Sequence, residues 1–504
     1  MINIRQSIPS PRTFTWDQYK AAIRRVDRDS LLAACAGISA EIDADRLPKE
    51  FARLGLSAWG VMDLSRMALA WSTFQRPAAV GEDIARLCNM GQNLQDDLLV
   101  NEKSPLATAN FLARMFFDQF PSQSSVLAEV ARTIQIFGSA SEFPSHHQPE
   151  VMKEGWLQSL HGGLTVDQYI GAVFFLYVST LENRGVFDPK WLDTAGMDEI
   201  DFYLSREAIS DTFTNYMATT SADFKVANAI FQSEVPANRK RFAFNYLRER
   251  PFILDAGPVP IAPSAQAVIG KASPSAIFYR GMTAHGTAFS RDLGHVFEHY
   301  VGRQLSLLSE PAAVMSEVRY GRVKSPLLSV DWFLDLPDVI VLIECKAVRP
   351  VENVRLGSEN MAELVNETVG KVMKQINRSN AEFRAIATAE PALDASKRRF
   401  GMVVTLENFY LAHNPFLRSQ VARADIPTAV VACLELEWIV MQDPHKLSQR
   451  LVEAATTSES GVLDLNGIVK PEEVENTLLT STWEGIELFS RLRGSQVETH
   501  ESVE

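Results

Sequence analysis

A chain of 504 residues has material for two to four domains, and 46% hydrophobic with 22% charged residues is the balance of an ordinary soluble globular protein. Its four cysteines, Cys35, Cys88, Cys345 and Cys433, are widely scattered, which excludes a disulfide framework or a cysteine zinc cluster. The formal charge of −13 is unevenly spread: residues 319–399 hold 13 Lys and Arg against 11 Asp and Glu, and a locally basic segment suits a polyanionic substrate.

The first sixteen residues lack the apolar stretch of a signal peptide, and the longest apolar run, about 170–178, is too short to span a bilayer. The expectation is a cytoplasmic protein with no membrane partner. Apolar residues at three- and four-residue steps predict helices over 16–26, 29–42, 57–74, 82–98, 104–120, 124–137, 165–181 and 205–218. Thr15, Asp29, Thr165 and Ser205 are the expected N-caps. No fixed repeat period is present, and no GxxxxGK[ST] phosphate loop. His146-His147, between prolines, is expected in a surface loop. Residues 1–250 thus read as an α-helical domain, regulatory or sensing, through which the chain could form homo-oligomers.

Arg239-Lys240-Arg241, with Arg248 and Arg250, reads as a solvated basic face. Residues 251–284 are rich in Pro, Ala and Gly and are expected to form a linker. Beyond it the predicted order is a helix over 289–308, a strand over 313–320, two central strands, a helix over 359–378, and strands over 400–406 and 429–436. A helical extension (441–493) and a disordered tail (494–504) would close the chain.

The central strands carry the chemistry. The run from Val339 to Ile343 is apolar on both faces and ends in Glu344-Cys345-Lys346. Glu344 and Lys346, two residues apart on a strand, point to one face. Pairing around a turn at 335–338 brings Asp331 to that face, about one diagonal step from Glu344. Such charges are costly unless paired or holding a metal. On the preceding helix His295-Val296-Phe297-Glu298-His299 spells HxxEH.

Asp331 followed by Glu344-x-Lys346 resembles the motif of the PD-(D/E)XK nuclease superfamily, and the order helix, three strands, helix, strand over about 285–440 resembles its restriction-endonuclease-like fold. The resemblance implies an α/β domain with a mixed central sheet flanked by helices. It implies a nuclease hydrolysing DNA, RNA remaining open, with a setting in restriction or phage defence. Asp331, Glu344 and the backbone carbonyl of Cys345 are hard oxygen donors for Mg²⁺ or Mn²⁺, and Glu298 would add a ligand from the first helix. Lys346 would orient or deprotonate the attacking water and face the transition state. Lys371, Lys374 and Gln375 on the later helix, and Arg319, Arg322 and Lys324 before the hairpin, are the expected nucleic-acid contacts. Two alternatives stay open: a zinc peptidase using His295, Glu298 and His299, and an inactive relative that only binds nucleic acid.

Overall fold

The computed structural model describes residues 13–46, 56–95, 105–119, 126–138, 143, 147–233, 235, 237–356, 358, 360–410, 415–457, 462–463, 465 and 475–485. The chain falls into two compact units: Met1–Lys103 with Asp118–Gln123 and Gln168–Ser273, and Ser104–Phe117 with Ser124–Asp167 and Pro274–Glu504. The tail 494–504 lies outside the described residues.

The first unit is helical, as its periodicity requires. Helices Trp16–Ile23, Arg28–Asp43, Ala58–Trp71 and Gly81–Gln92 bury Tyr19, Leu31, Leu32, Val61, Leu64 and Leu87 in one core. Thr15 caps the first helix in a reciprocal pair with Gln18. The second helix starts earlier than expected, because Asp27, not Asp29, has the extended backbone and accepts from the Ser30 amide at 3.1 Å. No described helix is long and apolar enough to cross a membrane.

The expected boundary over 251–284 does not coincide with the division between units. Residues 252–269 fold into the first unit: Phe252–Ile253 pairs in parallel with Ala218–Thr219, and Ala265–Ile269 is a buried helix capped by Ser264. Small residues that look like a linker in composition serve here as close-packing core. In the other direction, helix Val126–Phe137 belongs to the second unit. Its Arg132 makes a buried bidentate pair with Glu437 at 2.5 and 2.7 Å, and Glu437 also accepts from the Tyr300 hydroxyl.

The second unit is built on a six-stranded mixed sheet. Helix α1 (Thr287–Leu305) leads to β1 (Ala313–Ser316), a separate two-stranded hairpin β2 (Arg319–Arg322) and β3 (Ser325–Leu328), then β4 (Trp332–Asp335) and β5 (Val339–Lys346). There follow α2 (Met361–Val365), a π-helical segment Asn366–Gly370, α3 (Lys371–Ala381), β6 (Arg398–Thr405), β7 (Thr428–Ala432), α4 (Cys433–Ile439) and β8 (Val462–Leu463). The order across the sheet is β8-β7-β6-β5-β4-β1. Strands β1, β4 and β5 are antiparallel neighbours, whereas β5 through β8 run parallel.

Two predicted strands are shorter than their apolar runs. The run 313–320 breaks after Ser316, and Arg319 and Tyr320 join the separate hairpin. The run 429–436 stops at Ala432, where the Glu435 carboxylate accepts from the Ala432 amide at 2.6 Å and opens a helix.

Strand β5 is buried on both faces. Val339, Val341, Ile343 and Cys345 share a core with Phe297, Val301 and Leu305 of α1, while Ile340 and Leu342 pack with Val372, Met373 and Ile376 of α3. Burial of each such aliphatic side chain contributes about 1.5–3 kcal/mol. That is enough to offset several kcal/mol for a buried ion at the strand's end. Trp332 of β4 lies against Gly302 of α1, where a Cβ would come within 2.2 Å of its ring, and its Nε1 donates to the Glu298 carbonyl at 3.1 Å. This close approach fixes α1 beside the end of β5.

Candidate active site

The register places the predicted groups together. Trp332 pairs with Ile343 and Asp335 with Ile340, so Asp331, immediately before β4, comes level with Glu344 and not one diagonal step away. The Cys345 amide donates to Asp331 Oδ2 at 2.6 Å, and Lys346 Nζ donates to Glu344 Oε1 at 3.0 Å. Glu344 is fully buried, and its Oε2 has no hydrogen-bond partner. The Cys345 side chain faces the apolar core, where burial holds its thiol well above the usual range. At the far end of the hairpin, Asp335 pairs with Lys397 and Asp338 with Ser448. The literal Pro337-Asp338 is a turn, away from the site.

Four carboxylates here are raised, Asp331 by burial and the other three by burial and neighbouring carboxylates. Burial, then the Asp331 charge, pushes Glu344 up to about 7 against the pull of Lys346. Burial also raises Asp331, against the Cys345 amide and Lys346. Glu298, on α1, reaches about 8 through burial and then through Asp331, Glu317 and Glu344. Glu317, between β1 and β2, is raised by burial and Asp331 and restrained by Arg319 and Arg378. Burial lowers the Lys346 pKa, but Glu344, their hydrogen bond and Asp331 outweigh it and leave it above the ordinary value. Lys346 is therefore an ammonium at neutral pH.

The donor chemistry fits a hard divalent cation: clustered oxygens, a buried carboxylate oxygen without a partner, and like charges that a cation would relieve. Asp331, Glu344 and the Cys345 carbonyl would be the residues to hold it, and Glu298 on α1 is close enough to feel the charges of Asp331 and Glu344. Among the described residues no three His, Cys, Asp or Glu side chains already stand at metal-ligand spacing. Here Asp331 is engaged by the Cys345 amide and Glu344 by Lys346.

These shifts set a pH dependence. A carboxylate raised from an unfolded value near 4.5 to about 7 or 8 binds its proton more tightly in the folded chain. Without metal, stability should therefore fall as pH rises from about 4.5 to about 8. A cation competes with the same protons, so the increase in melting temperature on adding Mg²⁺ should be larger at pH 8.5 than at pH 6. Calorimetry over that range checks both trends; a Mg²⁺ shift independent of pH would contradict the assignment.

Other predicted contacts are less closely placed. Arg319, Arg322 and Lys324 are exposed on the β2–β3 hairpin, and Arg319 reaches Glu317 electrostatically. Lys371 and Lys374 are exposed on α3 and Gln375 is half-buried, and no described hydrogen bond or ion pair ties these three to Asp331, Glu344 or Lys346.

The HxxEH helix places His295 against other polar groups. His295 Nδ1 lies 3.9 Å from Glu298 Oε2, and its ring centroid is 4.1 Å from that of His147 with the planes tilted by 39°. His147, expected in a surface loop, is half-buried instead; it sits 2.8 Å from buried Asp292, whose carboxylate also accepts from the Val151 and Met152 amides. His146 lies outside the described residues. The sequence reading missed Glu317, Arg378 and this His147–Asp292 pair.

No family model matches the chain, and no curated protein matches it. A solved structure, the small subunit (R.BspD6I2) of the heterodimeric restriction endonuclease R.BspD6I, is similar over 42% of this chain and 95% of its own, at 12% identity and a TM-score of 0.19. A likeness that loose carries no functional argument; what is shown of the fold is a helical unit and an α/β unit with a mixed sheet.

Proposed function

We propose that the chain is a metal-dependent nuclease of the PD-(D/E)XK type that hydrolyses phosphodiester bonds of DNA. The observation that carries this reading is the buried Glu344, level with Asp331 and bonded to Lys346, with one carboxylate oxygen unpartnered at the end of an apolar strand. Asp331 and Glu344 would hold the cation through their side chains and Cys345 through its carbonyl, with Glu298 of α1 as a further ligand. Mg²⁺ or Mn²⁺ bound there supplies Lewis acidity that lowers the pKa of water and offsets phosphate charge. Lys346, kept protonated by its acidic neighbours, places a positive charge beside the phosphate as the transition state gains negative charge. Its task is then to orient the attacking water and stabilise the charge of the transition state. A setting in restriction or defence against foreign DNA follows from the sequence resemblance.

The test is incubation of the pure protein with supercoiled plasmid, linear DNA and RNA under Mg²⁺, Mn²⁺ or EDTA. The expected result is nicked or linear plasmid with either metal and intact plasmid with EDTA. Metal-independent cleavage, or none under any condition, would count against the reading.

A further inference from the structure

Between Glu317 and Asp331 the chain leaves the sheet, makes a hairpin of its own and returns. Strands β2 and β3 pair as Arg319↔Leu328, Tyr320↔Leu327, Gly321↔Pro326 and Arg322↔Ser325, closed by a two-residue turn, Val323-Lys324. Its base is pinned. Tyr320 is buried in the core beside Phe383, the Ser329 hydroxyl accepts from the Val318 amide at 2.8 Å, and Arg378 donates to the Leu328 carbonyl at 3.0 Å. Beyond that base every residue of the hairpin is exposed.

The tip has an unusual chemistry for a solvated turn. Val323 is 97% exposed, and Leu327 and Leu328 are 43% and 40% exposed. Arg319, Arg322 and Lys324 surround them, and residues 319–328 contain no acidic side chain although the chain as a whole carries −13. Exposed apolar groups interleaved with cations, on a ribbon held at its base, match a surface that is anionic at its rim and apolar in places within. Gly321, at φ 85° opposite Pro326, adopts a backbone conformation that side chains disfavour and leaves little side-chain bulk at this point of the ribbon.

We propose that this hairpin is a two-stranded ribbon that enters the major groove of duplex DNA, with the carboxylate cluster at its root. The inference rests on the nuclease reading and adds the form of substrate and the element that grips it. The dimensions agree. Two strands about 4.8 Å apart fit a groove about 12 Å wide, and four paired residues at about 3.4 Å each exceed its depth of about 8.5 Å. Arg322 and Lys324 reach phosphates or guanine edges, and Val323 meets thymine methyl groups. Because hydrogen bonds close the ribbon one residue from Glu317 and two from Asp331, the groove it grips lies next to the carboxylates. A-form RNA has a major groove too deep and narrow for such a ribbon, so duplex RNA is excluded from this contact.

The experiment compares the full-length chain carrying Lys346→Ala, used to prevent cleavage, with the same chain carrying Arg322→Ala, Val323→Ser and Lys324→Ala as well. Fluorescence anisotropy with a DNA duplex and with an RNA duplex of the same sequence is read at several salt concentrations. The triple substitution should weaken DNA duplex binding on the order of 30-fold and reduce the salt slope by about 1.8, the share of two phosphate contacts. Duplex RNA binding and the melting temperature should not change, since all three side chains are solvated. Unchanged DNA affinity would overturn the ribbon, and so would an equal loss on RNA, which would mark a plain basic patch. No duplex binding by the parent chain would also overturn it, and wild-type plasmid cleavage then decides separately whether the nuclease reading survives.

Discussion

Lys346→Ala is expected to slow DNA cleavage by about 10²- to 10³-fold, the usual cost of removing one group that stabilises charge in a transition state. Folding and DNA binding should persist. The Lys346 side chain is 37% exposed and belongs to no core cluster, so its removal leaves no cavity among the apolar residues of β5. Its partner will respond, however. Glu344 is fully buried and already pushed up to about 7; without the ammonium at 3.0 Å it should hold its proton to a still higher pH. Lys346→Arg should restore little, because a planar guanidinium on a longer arm does not reproduce a compact point charge. Single-turnover cleavage of a labelled duplex, with circular dichroism and anisotropy as controls, measures this. Wild-type rates in Lys346→Ala would remove the residue from the mechanism.

The strand and its charged end were legible in the sequence because they obey short-range rules. Five apolar residues from Val339 to Ile343 demand cover on both faces, and a period of two assigns Glu344 and Lys346 to one of them. The level of Asp331 was misjudged by one step because register depends on turn geometry, and here the turn holds Pro337 and Asp338. Glu317 was missed for a different reason. A carboxylate after a strand reads as surface until the chain returns at Asp331, whose charge adds to burial in raising Glu317. The same limit hid His147, whose partner Asp292 is 145 residues away in sequence. The division into units escaped a reading by composition, since much of the Pro-, Ala- and Gly-rich stretch, including helix Ala265–Ile269, is buried and the Arg132–Glu437 pair spans 305 residues.

Glu344→Ala and Asp331→Ala are each expected to weaken Mg²⁺ binding by at least tenfold and to stop cleavage, because each removes a charged ligand from the same cation. Glu344→Ala also deletes a buried acid that burial and Asp331 destabilise, so the metal-free variant should melt no lower than wild type near pH 8. His295→Ala and His299→Ala should leave divalent binding nearly unchanged, as neither is among the proposed ligands. Glu298→Ala does not discriminate, because a peptidase would use Glu298 too. The location of the metal decides most directly. In crystals soaked with Mn²⁺, anomalous scattering should give a peak about 2.0–2.3 Å from oxygens of Asp331 and Glu344. A peak on His295 and His299 instead, or none at saturating Mn²⁺, would contradict the account.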